Sequence, residues 1–192
     1  MHAFLLSTAV IFVAELGDKS QLMAMTFAAR YRVRDVLLGI SVATLLVHLA
    51  SVAIGALVGS AFSSSQGLIS IIAGIAFLVF ALWTLRGDEL SEEEESKARQ
   101  STGLAILAVG VAFFLAELGD KTMLATITLA TKEGWVGTWL GSTLGMVLAD
   151  ALAIGVGAVL GRRLPEKAIR YGAAVLFAVF GVLLIGQGAG WL

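Results

Sequence analysis

The sequence predicts an all-α, polytopic membrane protein: six transmembrane helices arranged as two inverted repeats of three. Three observations carry that expectation. Six apolar windows of about the 20 residues that a bilayer span requires fill almost the whole of the 192-residue chain. One seven-residue pattern of charged and small residues occurs twice, 102 positions apart. Lys and Arg fall almost entirely in alternate loops.

Hydrophobic residues make up 58% of the chain and the mean hydropathy is +0.93, well above the ~45–50% apolar share of soluble domains. The partner this implies is the lipid bilayer, and no nucleic acid is expected. The windows fall at 3–29, 36–61, 67–86, 102–131, 135–161 and 168–192. The first is not read as a secretory signal, because Glu15, Asp18 and Lys19 interrupt it and no basic segment precedes it. Cysteine is absent, so there is no disulfide frame and no thiolate metal site. A metal here would be held by oxygen or imidazole.

Loop 1–2 carries Arg30, Arg32 and Arg34, loop 3–4 carries Arg86, Lys97 and Arg99, and loop 5–6 carries Arg162, Arg163, Lys167 and Arg170. The opposite side has Lys132 alone, and the other two of the thirteen basic residues are Lys19 and Lys121 within the repeated pattern. The positive-inside rule makes the three basic loops cytoplasmic and puts both termini outside. The location expected is the cell (inner) membrane.

Residues 12–28 match residues 114–130 at ten of seventeen positions without a gap. The offset of 102 continues into the second helix of each half, pairing Leu38-Gly39 with Leu140-Gly141, Leu46 with Leu148 and Gly55-Ala56 with Gly157-Ala158. An offset of 100 pairs Phe77, Val79 and Phe80 with Phe177, Val179 and Phe180. The organisation expected is a first repeat over 1–87, an acidic cytoplasmic linker over 88–101 containing Glu92 to Glu95, and a second repeat over 102–192. Three helices per repeat is an odd number, so the second repeat must cross the membrane in the opposite sense to the first. Inverted repeats are the architecture of many secondary transporters, with the site between the repeats near the midplane.

The doubled pattern is Glu15-Leu16-Gly17-Asp18-Lys19-Ser20 and Glu117-Leu118-Gly119-Asp120-Lys121-Thr122. A charged side chain at membrane depth costs ~2.5–3.5 kcal/mol or more, so such residues pair, hold an ion or line a cavity. On a continuous helix Glu at i, Asp at i+3 and Lys at i+4 share a face, and packing the two halves together would make four carboxylates converge: Glu15, Asp18, Glu117 and Asp120. With Lys19 and Lys121 the set carries a charge of −2, which one divalent cation or two protons neutralise. Like charges held close favour proton uptake, so exchange of one divalent ion for protons follows, with the titration shared by the cluster. Oxygen ligands suit Mg²⁺, Ca²⁺ and Mn²⁺. Gly17 and Gly119 sit where a missing side chain permits a local break. Ser20 and Thr122 lie off the carboxylate face and reach the ion only if the helix unwinds, so they rank behind the acids.

In the second helix of each half His48 and Asp150 are equivalent by the same offset. His48 is read as a bundle hydrogen-bond group or a proton relay, and Asp150 as a participant in ion binding or proton transfer. Gln21 and Met123 are likewise equivalent, with Met123 read as a core filler or a soft ligand. Gly137, Gly141 and Gly145, Gly55 with Gly59, and Gly157 with Gly161 repeat every fourth residue, which predicts close helix contacts.

Two E-x-G-D-[KR]-[ST] motifs on the first and fourth helices, with an acidic central loop, resemble the Gdt-type manganese/calcium transporter family of the calcium/cation antiporters, formerly an uncharacterised protein family. The resemblance covers essentially the whole chain, and its size and bare termini resemble a prokaryotic manganese exporter. It implies transport of Mn²⁺, or Ca²⁺, in exchange for H⁺, with Glu15, Asp18, Glu117 and Asp120 as metal ligands, no bound cofactor and no enzymatic activity. The competing readings are a small-solute exporter, for example of amino acids, and a membrane-embedded metalloenzyme. The first would need a site for a zwitterion, yet acids outnumber bases in the motifs; the second would need a catalytic metal or nucleophile site, and no His-rich or Cys cluster exists to build one.

Overall fold

The computed structural model describes residues 1–86, 104–160 and 166–191. Regular structure there is helical: α1 (His2–Glu15), α2 (Lys19–Ala28), α3 (Val33–Ala61), a short 3-10 turn (Ser63–Ser65), α4 (Gln66–Arg86), α5 (Ala105–Glu117), α6 (Lys121–Ala130), α7 (Trp135–Leu160) and α8 (Glu166–Gly188). Among the described residues, four stretches are long and apolar enough to cross a membrane: Val33–Ala61, Ser63–Arg86, Trp135–Ala158 and Arg170–Gly188. The first and fourth apolar windows do not form single rods. Each is divided at its motif, α1 from α2 and α5 from α6. The expected acidic linker, 88–101, lies outside the described residues.

The packing is mostly between the two halves of the chain. Helix α1 lies against α7 as α5 lies against α3, α2 against α7 as α6 against α3, and α4 packs on α8. Exchanging the halves turns each of the first four pairings into another of the same set and returns α4–α8 to itself.

Small residues make the approaches possible. A Cβ on Gly39 would stand 2.8 Å from the Ile106 carbonyl oxygen of α5, and one on its equivalent Gly141 would collide with the Phe4 carbonyl oxygen of α1. Gly137 and Gly145 press on Ala3 and Thr8 of the same helix, Gly55 meets the Ile127 carbonyl of α6, and Gly157 meets Met25 of α2. Gly74 and Gly181 face each other's carbonyl oxygens across α4 and α8, at 2.6 and 2.8 Å from the would-be Cβ atoms. The four-residue glycine spacing thus marks close helix contacts; Gly161 lies outside the described residues. The aromatic repeat pairs meet as well, with Phe77 and Phe177 ring centroids 5.8 Å apart and Phe77 and Phe180 6.1 Å apart.

Large aliphatic side chains point outward: Leu38, Val42, Leu46 and Leu49 on α3, and Leu140, Leu144, Leu148 and Leu152 on α7 are exposed. The same helices bury Thr44, His48 and Ser51, and Thr138, Ser142 and Asp150. Apolar faces turned outward and small or polar faces turned inward suit lipid as solvent, where helix association comes from close packing and polar contacts rather than from hydrophobic burial.

Candidate functional site: a carboxylate cluster at two helix breaks

Both motifs interrupt their helix in the same way. Leu16 and Leu118 leave the helical region with ψ of 122° and 114°, Gly17 and Gly119 turn left-handed with φ of 76° and 80°, and Asp18 and Asp120 are extended residues that start α2 and α6. Glycine meets no Cβ penalty in the left-handed region, whereas other residues lose ~1–2 kcal/mol there. The freed Gly17 N–H donates to Gln21 Oε1 at 2.8 Å, and the Gly119 N–H points to Met123 Sδ at 3.2 Å. Gln21 also donates from Nε2 to the Ala149 carbonyl of α7 at 2.9 Å.

The break corrects the expectation that Glu, Asp and Lys share one face of a continuous helix. It also raises Ser20 and Thr122 above the rank the helical wheel gave them. Unwinding brings Ser20 Oγ onto Glu15 Oε1, and Thr122 Oγ1 donates to Glu117 Oε2 at 2.9 Å. Each hydroxyl fixes the glutamate that precedes the break and leaves the second carboxylate oxygen, Glu15 Oε2 or Glu117 Oε1, buried without a hydrogen-bond partner among the described residues.

Glu15, Asp18 and Glu117 converge. Each offers an oxygen within 4.8 Å of the other two, and all three residues are at most 1% exposed. The acids come from both copies of the motif, and their oxygens form a hard donor set of the kind that holds an oxygen-seeking divalent cation. Three carboxylates this close in a water-poor interior require countercharge, either a cation or protons. Asp120, the fourth expected ligand, is buried at the start of α6 but is not one of the three whose oxygens converge.

The lysines separate. Lys121 is buried and its ammonium pairs with Asp18 of the other motif, so this ion pair joins the two halves of the chain. Lys19 is half-buried. Asp150 is fully buried, with neither carboxylate oxygen hydrogen-bonded among the described residues, and lies within electrostatic reach of Glu15, Glu117 and Asp18. His48 lies 3.3 Å through Nδ1 from Thr143 Oγ1, and its Nε2 is buried without a hydrogen-bond partner among the described residues. Thr143 was not singled out from the sequence, and neither were Thr138 and Ser142, whose buried hydroxyls lack partners among the described residues. The available signal was their spacing, with Thr138 and Ser142 four residues apart in a mostly apolar helix.

The profile of the family described as "Divalent cation/proton antiporter GDT1" matches residues 3–92 and 105–191. The chain belongs to the GDT1 family. It is a family of transporters, not of enzymes. GDT1 relatives include the Vibrio cholerae protein named "Putative manganese exporter", 33% identical over 69% of this chain and 64% of its own length. "Protein PAM71, chloroplastic" of Arabidopsis thaliana is 32% identical over 96% of this chain and 56% of its own, and a GDT1-like protein of Synechocystis is 30% identical over 95% and 96%. The chain therefore spans less than two thirds of the first two relatives and almost all of the third. No solved structure matches it.

Proposed function

We propose that this chain is a secondary transporter that exports Mn²⁺, or Ca²⁺, in exchange for protons by alternating access. The observation that carries the reading is the convergence of Glu15, Asp18 and Glu117 within 4.8 Å, from both motif copies and out of contact with water. In this reading Glu15, Asp18 and Glu117 ligate the ion and Asp120 joins them in another state of the cycle. Ser20 and Thr122 aim the glutamates, and Gln21 holds the first break against α7. Asp150 and His48 serve as proton-handling groups beside the site. Membership of a divalent cation/proton antiporter family supports exchange, and the name of the Vibrio cholerae relative favours Mn²⁺ as substrate.

The architecture in this proposal is six membrane crossings in two inverted repeats, 1–87 and 102–192, joined by the cytoplasmic linker 88–101, in the cell inner membrane with both termini outside. The exchange symmetry of the helix pairings and the alternation of Lys and Arg between loops support it. Cysteines placed at Arg32 and at Lys132 are expected to react with impermeant reagents from opposite sides; labelling from the same side would make the repeats parallel.

Transport is tested in proteoliposomes carrying an internal pH dye and an internal metal-quenched dye. An inward Mn²⁺ gradient is expected to drive protons outward, and a pH gradient alone is expected to drive Mn²⁺. Metal flux without proton movement would overturn exchange. Native flux in Glu15→Gln would overturn the site.

A further inference from the structure

Asp18 is engaged twice. It is one of the three carboxylates that converge, and it is also the ion-pair partner of Lys121 from the other half of the chain. Lys121 is only 3% exposed, so its ammonium cannot exchange Asp18 for water without leaving the interior. A buried ammonium is stable only beside countercharge, and Asp18 supplies it.

We propose that Lys121 is a tethered competitor of the transported cation: it holds Asp18 when no ion is bound, and the divalent ion must share or take that carboxylate to bind. The proposal rests on the reading of Glu15, Asp18 and Glu117 as the cation site. An ion among those oxygens would stand within a few ångströms of the ammonium, and two cations repel strongly at that distance away from water. Lys121 therefore weakens binding and favours release, which a transporter needs as much as capture. The second motif lysine differs in burial: Lys19 has the same sequence neighbours but is half-buried, whereas Lys121 is 3% exposed.

The test is equilibrium Mn²⁺ binding to the purified full chain, with thermal stability measured with and without Mn²⁺. Lys121→Met is expected to bind Mn²⁺ at least ~10-fold more tightly than the native protein, because a close positive charge is gone. It should be less stable without the metal, yet gain a larger stabilisation when Mn²⁺ is added. Lys121→Arg keeps the charge and is expected to bind like the native protein; Lys121→Gln repeats the neutral substitution with a polar side chain, should the methionine variant not fold. A lysine with a purely structural role gives neutral variants that bind the ion equally or more weakly, and either result overturns the proposal. Glu15→Gln separates the two readings. If it binds Mn²⁺ as the native protein does, the site assignment is wrong; if it loses binding while Lys121→Met shows no gain, only the role of Lys121 fails.

Discussion

The two motifs share nearly all of their residues and the same backbone path, yet their surroundings differ. Each breaks its helix at a left-handed glycine, with φ of 76° at Gly17 and 80° at Gly119, and each ties its glutamate to the hydroxyl five residues on. The neighbours differ. Gln21 accepts from Gly17 and reaches on to Ala149 of α7, whereas Met123 offers Gly119 only a sulfur, a weak acceptor. Lys121 is buried on Asp18 while Lys19 is half-buried, and equivalent positions in the long helix after each motif hold His48 in one half and Asp150 in the other. The two copies share their carboxylates and the break that presents them, and they differ in what surrounds them.

If the halves contribute equally to one ion, Glu15→Gln and Glu117→Gln should be equally damaging. Each is expected to lower Mn²⁺ transport ~100-fold or more, since removing a residue that merely supports a ligand already costs 10–100-fold in metal affinity. Flux measured on protein of verified insertion checks this, and a large loss in one variant alone would make the site belong to one motif. Ser20→Ala and Thr122→Ala remove those supporting hydroxyls and are expected to weaken Mn²⁺ binding ~10-fold each. Unchanged affinity would mean that the glutamates are positioned without them.

Gly119→Ala isolates the break itself, because a Cβ there meets nothing within 4 Å. Its expected cost is ~1–2 kcal/mol from the left-handed backbone alone, read as lowered thermal stability in detergent; a stability equal to the native protein would show that the break is not held. The smallest effects come from swapping the neighbours. Gln21→Met gives the first break the second one's weaker acceptor and cuts the link to α7, for an expected ~1 kcal/mol. Met123→Gln is expected to be neutral or slightly stabilising. Equal losses from both would erase the distinction between the halves.

Much of this was legible in the sequence, for physical reasons that also mark its limits. Span positions follow from the length of apolar windows, and 36–61, 67–86 and 135–161 correspond closely to α3, α4 and α7. The glycine contacts were legible because only a missing Cβ lets a helix approach another's backbone as Gly55 approaches the Ile127 carbonyl. The breaks were not, since Gly17 and Gly119 permit a left-handed turn without requiring one. With a continuous helix assumed, Ser20 and Thr122 fell off the carboxylate face and Lys121 shared a face with Glu117 of its own motif. The pairing of Lys121 with Asp18 depends on how two segments 103 residues apart meet, which no local spacing encodes. The offset placed His48 opposite Asp150 but could not foresee that His48 would sit beside Thr143 while both Asp150 oxygens lack a hydrogen-bond partner among the described residues.

The central claim is that two motifs build one cation site. Counting Mn²⁺ bound per chain at saturation, by electron paramagnetic resonance of the free ion, tests it most directly. One ion per chain is expected, abolished by either Glu15→Gln or Glu117→Gln. Two ions per chain, or one ion surviving in each of those variants, would show that each motif holds its own ion and would contradict the account.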